Sequence, residues 1–143
     1  MEDQRVVLQR TLIRVTSKLT KLSKSNLDHF GINGPEYSII RNLGHEELTL
    51  SELSLRLLKV NSNITMMVDH LEAKGLVKRI PDPRDRRVIR VRLTEQGLEL
   101  REAAVSEHNR YLTDLLVKVT ENETEQLLSL LNKVESICDA KNG

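Results

Sequence analysis

At Gly75 the hydrophobic pattern of this chain changes period, and that change narrows the folds open to it. Before the glycine, Ile64, Val68 and Leu71 recur at spacings of four and three, which predicts one buried helical face. After it, Leu76-Val77-Lys78-Arg79-Ile80 and Val88-Ile89-Arg90-Val91-Arg92-Leu93 follow the alternating period of strands. Pro81 and Pro83 stand between the two runs and keep the tip from pairing further. The pattern predicts a helix that stops at a glycine and leads directly into a two-stranded hairpin, or wing.

The elements upstream give that helix a partner. Leu8, Leu12, Val15, Leu19 and Leu22 form an apolar stripe along a long amphipathic helix, punctuated by Gly31 and Gly34-Pro35. Asn33 or Gly34 caps a second helix, which carries Tyr37, Ile40 and Leu43 inward and stops near Gly44. Thr49-Leu50-Ser51-Glu52 has capping-box spacing and opens a third, with Leu50, Leu53 and Leu57 on one face. This helix is short, because Lys59-Val60-Asn61 leads to a fresh cap at Asn61 or Ser62. Two short helices joined by a tight turn make a helix-turn-helix.

Downstream, Thr94-Glu95-Gln96-Gly97 starts a long helix through Leu98, Ala104, Leu112, Leu115 and Val119. A last helix, capped near Thr120 with Glu123 three residues on, runs through Leu127, Leu131, Val134 and Cys138. The expected fold is mainly α with a small β-hairpin wing, a winged helix-turn-helix flanked by long N- and C-terminal helices. Residues 1–143 read as a single domain, with about 34–97 as the winged helix-turn-helix lobe and about 4–30 and 98–140 as dimerisation helices. Leucine-rich stripes that one small lobe does not need must be covered, and a second copy is the expected cover.

Charge points to the partner. Between Lys74 and Arg92 there are eight bases and two acids, a net of +6 on a chain whose total is +1, which leaves −5 elsewhere. A compact basic patch on an otherwise acidic chain suits a polyanion. The wing tip offers Arg84, Arg86 and Arg87 to a narrow groove, while Asp85 is expected to pair with a neighbouring arginine and support the tip. On the fourth helix the face opposite the buried stripe presents Ser62, Asn63, Thr65 and Met66 near its start, with Asp69 and His70 farther along. Asn reads adenine, Ser and Thr bond base edges or phosphate, and apolar groups pack on thymine methyls.

Other classes fit less well. The composition, 38% hydrophobic and 30% charged, is that of a folded globular chain. A single cysteine forbids an intrachain disulfide, no signal peptide opens the chain and no run approaches a span of roughly 18 apolar residues, so a cytoplasmic protein with no membrane partner is expected. The sequence lacks a glycine-rich phosphate loop and a nucleophile elbow, which argues against an enzyme and against any cofactor. Its four histidines show no ligand spacing, so no metal site is expected. The aromatic residues, Phe30, Tyr37 and Tyr111, lie outside the basic patch, which disfavours stacking on single strands. Cys138 falls on an apolar stripe and is expected to be packed.

The run from Leu53 to Gly97 resembles the MarR family of bacterial transcriptional regulators. The likeness rests on the helix-turn-helix, Leu71-Glu72-Ala73-Lys74-Gly75-Leu76-Val77-Lys78-Arg79, Asp82-Pro83-Arg84-Asp85-Arg86-Arg87 and the closing Leu93-Thr94-Glu95-Gln96-Gly97. It implies a homodimer with interlocked terminal helices, two lobes on a pseudo-palindromic operator in double-stranded DNA, and, in many members, release by a small phenolic or other aromatic effector. Repression is the expected outcome of binding. By the resemblance the wing roles fall on Arg84, Arg86 and Arg87 and the recognition roles on Ser62, Asn63, Thr65 and Met66. Leu58-Lys59-Val60 departs from the family in lacking the turn glycine. An effector entering between the terminal helices and the lobe would meet His29 and Tyr37. Two alternatives stay open: a winged-helix protein interaction module, and a redox- or metal-responsive regulator.

Overall fold

The computed structural model describes residues 1–57 and 62–143, without the side chain at position 62. Its elements are α1 (Gln4–Leu27), a 3-10 turn (Asp28–Phe30), α2 (Gly34–Leu43), β1 (Leu48–Thr49), α3 (Leu50–Leu57), α4 (Ser62–Ala73), β2 (Val77–Pro81), β3 (Ile89–Leu93), α5 (Glu95–Leu115) and α6 (Glu121–Asn142). The expected cap at Asn61 and the Leu58-Lys59-Val60 turn lie outside the described residues. Two compact units result, Met1–His108 and Asn109–Gly143.

In the first unit, side-chain caps fix where helices begin. Of the two candidate caps of α2, Asn33 serves: its side chain accepts from the Glu36 N–H at 2.8 Å, and the Glu36 carboxylate accepts from the Asn33 N–H at 3.1 Å. The other Glu36 oxygen is held at 2.9 Å by the Lys74 ammonium, which also donates to the Gly31 carbonyl at 2.9 Å. This buried glutamate therefore fastens the end of α4 to the start of α2. Thr49 and Glu52 form the reciprocal box that opens α3. Apolar stripes then converge on one core, with Ile39, Ile40 and Leu43 of α2, Leu53 of α3, Ile64, Val68 and Leu71 of α4, and Val77 and Val91 of the sheet.

The stop after α4 has a complete physical account. Gly75 takes the left-handed conformation (φ 74°), its N–H bonds to the Glu72 carbonyl at 2.9 Å, and the Leu76 N–H reaches back to the Leu71 carbonyl at 3.0 Å. That pair of bonds is a Schellman cap, and glycine is the residue that adopts its left-handed position without strain.

The sheet has three strands in the order β1-β3-β2, where the sequence pattern predicts two. Leu48 pairs with Val91 and Thr49 with Arg90, all antiparallel. Two residues are too few for an alternating signal, so β1 is invisible to periodicity. β2 is an edge strand, which is why Pro81 is tolerated at its end.

α5 begins where Thr94 caps it, accepting the Gly97 N–H at 3.0 Å while its own hydroxyl donates to the Gly75 carbonyl at 2.6 Å. The helix ends at Leu115, and Val119, expected within it, lies in the turn before Thr120. The Thr120 hydroxyl accepts the Glu123 N–H at 3.1 Å and so restarts the chain as α6.

The second unit exposes its apolar groups. No residue of α6 is buried, and Leu127, Leu128, Leu130 and Ile137 are each more than half exposed. Cys138 is exposed as well, contrary to the packed thiol expected from its stripe, because α6 buries none of its own residues. In the first unit, α1 likewise buries only Leu27 and leaves Leu8, Val15 and Leu22 open.

His108 gives the first unit a pH dependence. Its side chain is buried, shares a 2.8 Å hydrogen bond between Nδ1 and the Asn26 amide oxygen, and stands edge-on to the Tyr37 ring at 5.1 Å between centroids. Burial pulls its pKa below the ordinary 6.5. The unfolded chain then binds the proton first, so stability is full above the unfolded pKa and falls as pH drops through the window below it. Thermal melts from about pH 7.5 to about pH 5.5 should show a larger loss of Tm for the wild type than for His108→Gln. Equal losses would mean that His108 is not the titrating group.

Candidate nucleic-acid interface

Because α4 buries Ile64, Val68 and Leu71, its opposite side is presented to solvent. Asn63 and Thr65 are exposed there, and Met66 is 54% exposed despite being apolar. Ser62 opens the helix, but its side chain is outside the described residues. The exposed start of α4 thus offers an amide, a hydroxyl and a thioether on adjacent positions, the donor, acceptor and apolar surfaces that base edges in a major groove require.

The wing is organised by a residue that the sequence reading did not single out. Asp82 is 8% exposed. One of its oxygens accepts the backbone N–H groups of Arg84 at 2.7 Å and Asp85 at 3.2 Å, and the other accepts from Arg90 Nε at 2.7 Å. These backbone donors, with the Arg90 guanidinium behind them, hold the Asp82 carboxyl below the usual aspartate range. The Asp82 N–H meanwhile bonds to the Val88 carbonyl at 2.9 Å and closes the hairpin. Asp85 takes up Arg87, accepting its backbone N–H at 3.0 Å and its Nε at 3.1 Å, so Arg87 is tethered although its side chain is 91% exposed.

Ion pairs change the electrostatic picture drawn from the sequence. Of the eight bases between Lys74 and Arg92, Lys74 pairs with Glu36, Arg79 with Asp69 and Glu72, Arg87 with Asp85, Arg90 with Asp82 and Arg92 with Glu47. Among the described residues, Lys78, Arg84 and Arg86 have no ion pair. Several of the partner acids lie outside the basic run, which is why counting charges along the run overstates its free charge. What remains unneutralised at the wing tip is Arg84 and Arg86, both exposed.

Asp82 should therefore govern the shape of the tip. Asp82→Ala removes the acceptor of two backbone N–H groups and the partner of Arg90; Asp82→Asn keeps one oxygen acceptor and loses the charge. DNA affinity is expected to fall in the order wild type, Asp82→Asn, Asp82→Ala, with faster amide exchange at Arg84 and Asp85 in the alanine variant. Wild-type exchange at these two amides in Asp82→Ala would contradict the assignment.

His29 and Tyr37 occupy different surroundings. The His29 Nε2 lies 2.7 Å from a Glu107 carboxylate oxygen, and its ring centroid lies 4.2 Å from that of Phe30, the planes tilted by 34°. Tyr37 is buried in the core against His108, and burial raises the pKa of its hydroxyl. A cavity of about 440 Å³ opens beside Phe30, with Lys74, Leu76, Gln96 and Leu100 in its walls. Neither His29 nor Tyr37 lines it.

Comparison with known proteins agrees with this architecture. The profile of the MarR family matches residues 30–88. The chain is 32% identical over 140 residues to the transcriptional repressor MprA of Escherichia coli strain K12, an alignment covering 95% of this chain and 79% of that protein. A cysteine-to-serine mutant of MarR from Escherichia coli, solved in complex with operator DNA, superposes with a TM-score of 0.82 at 29% identity, over 92% of this chain and 95% of that one. The organohalide-sensing regulator RdhR bound to 2,4-dichlorophenol shares the fold, with a TM-score of 0.86 at 18% identity over 95% of this chain and 82% of that one.

Proposed function

The chain belongs to the MarR family of transcriptional regulators, and from that premise we propose that it is a homodimeric repressor of a pseudo-palindromic operator in double-stranded DNA. It is a regulator and not an enzyme. The observation that carries the reading is the pairing of an exposed α4 start, with Asn63, Thr65 and Met66, with a wing whose Arg84 and Arg86 are free of acids among the described residues. Ser62 completes the recognition set, Arg87 contributes charge while tethered to Asp85, and Asp85 supports the tip. Repression is carried over from the MprA relative, and operator binding from the MarR complex.

Dimerisation is supported by the open apolar positions of α1 and, separately, of α6. A second copy covering them accounts for leucines that a solitary chain would leave in water. Sedimentation equilibrium is expected to give twice the 16.4 kDa chain mass. Footprinting on the DNA upstream of the protein's own gene should show two protected half-sites with centres roughly 10 base pairs apart. Absence of any protected site there and in a genome-wide pull-down would overturn the reading.

Release by a small aromatic effector is supported by the phenol-bound RdhR structure and by the cavity beside Phe30, whose ring lies 4.2 Å from that of His29. A phenol that prefers one lobe arrangement would shift the DNA-competent population in proportion to that preference. Chlorinated phenols that change neither operator affinity nor Tm would remove this part of the proposal.

A further inference from the structure

α4 bears two carboxylates, Asp69 and Glu72, on the flank of the helix proposed to enter DNA, and both are substantially exposed, at 58% and 42%. Left unpaired, they would face phosphates of the same sign. Each is met by one side chain. Arg79 donates from Nη2 to Asp69 at 2.5 Å and from Nη1 to Glu72 at 2.9 Å, and Nη2 also approaches the Thr65 carbonyl at 3.5 Å.

Strand geometry explains why this arginine is available to the helix. Successive side chains of β2 point to opposite faces, so Arg79 shares the inward face of Val77 and sits opposite Val91, while Lys78 and Ile80 take the other face. β2 is also the edge strand, and its outward-facing Arg79 N–H is accepted by Glu72 at 3.2 Å. Glu72 thus receives both the backbone and the side chain of the same residue, and the wing strand is fastened to α4 through Arg79. The Arg79 side chain is only 25% exposed, in contrast to the 91% of Arg87 at the tip.

We propose that Arg79 is a positioning residue for DNA binding: without touching DNA, it neutralises Asp69 and Glu72 and locks the recognition helix to the wing. The inference rests on the DNA-binding reading above. It assigns opposite roles to arginines within one short run, contact to Arg84 and Arg86 and shielding to Arg79.

The test uses the full-length protein and a labelled duplex selected from a random pool by the wild type, with Tm measured for every variant. Arg79→Gln is expected to weaken binding at least about tenfold, because two carboxylates then face the phosphates unpaired. Adding Asp69→Asn and Glu72→Gln to that variant should return affinity to within about threefold of wild type, without restoring whatever Tm Arg79→Gln loses. A purely structural role would leave affinity tied to Tm, and a direct DNA contact would leave the triple variant weak; either result overturns the proposal. Asp69→Asn/Glu72→Gln with Arg79 retained gives an independent reading that does not depend on the fold of Arg79→Gln. It should bind at least as tightly as wild type, and weaker binding or an altered base preference would show that the acids read bases. A wild type that selects no duplex overturns the DNA-binding reading itself, and the inference with it. A wild type that binds, beside a triple variant that stays weak, overturns the inference alone.

Discussion

Replacing Gly97 with alanine is expected to cost at least about 3 kcal/mol of stability and to lower Tm by roughly 10 °C. The cause is a close approach of backbones. A Cβ at position 97 would lie 2.0 Å from the Leu76 carbonyl oxygen, 3.0 Å from its carbon and 3.3 Å from Leu93 Cδ2. The Leu76 carbonyl cannot give way cheaply. It accepts the Thr94 N–H at 3.0 Å, and the N–H of the same residue closes the Schellman cap on Leu71. Moving α5 outward instead would break the Thr94 cap and its 2.6 Å bond to the Gly75 carbonyl. The cost is steric and not conformational, since positive φ occurs at Gly31, Gly44 and Gly75 and not at Gly97. Gly34→Ala is the matching control: its Cβ meets nothing within 4 Å, and at the start of α2 it should be neutral or stabilise by up to about 1 kcal/mol. Chemical denaturation of the two variants side by side checks the contrast, and a Gly97→Ala protein as stable as wild type would refute the joint.

The largest functional effect is expected from the wing tip. Arg84→Ala/Arg86→Ala should reduce affinity for the selected duplex by about a hundredfold or more, taking roughly 1 to 3 kcal/mol per arginine. Stability should stay within about 0.5 kcal/mol of wild type, because both side chains are exposed and neither has an ion pair among the described residues. The salt dependence should also become shallower, by roughly 0.9 in slope for each phosphate-neutralising contact removed. Arg87→Ala should act differently. Its guanidinium is held by Asp85, so part of its loss should appear as faster amide exchange at the tip instead of a shallower slope. A double variant that binds like wild type would move the interface away from the wing.

Much of this was legible in the sequence, for reasons specific to each element. The stop at Gly75, the box at Thr49, the cap at Thr120 and the inward stripe of α4 follow from short-range rules that act within a turn or two of chain. The exposed face of α4 could be read because burying Ile64, Val68 and Leu71 leaves its opposite side to solvent. What could not be read depends on partners distant in the chain. Arg92 is met by Glu47, and Lys74 by Glu36, pairings that no local count of charge contains. Asp82 looked like one more turn residue, yet it closes on Arg90 across the hairpin. A parity argument would have found Arg79, because it shares the face of Val77 and must therefore meet α4. The two-residue strand β1 is too short for any period to register. The stripe rule predicts a packed Cys138, but α6 buries none of its residues, and the cover proposed for it is a second copy.

In the proposed interface Arg84 and Arg86 of the wing supply charge while Asn63, Thr65 and Met66 of α4 supply discrimination. Equilibrium binding to the selected duplex and to a scrambled duplex of equal length, titrated from about 50 to about 200 mM salt, tests both at once. The selected duplex is expected to bind at least about a thousandfold more tightly at each salt concentration. Both affinities are expected to fall with a log–log slope of roughly −3.6 or steeper, from two arginines in each of two lobes. Weak binding of equal strength to both duplexes, indifferent to salt, would contradict it.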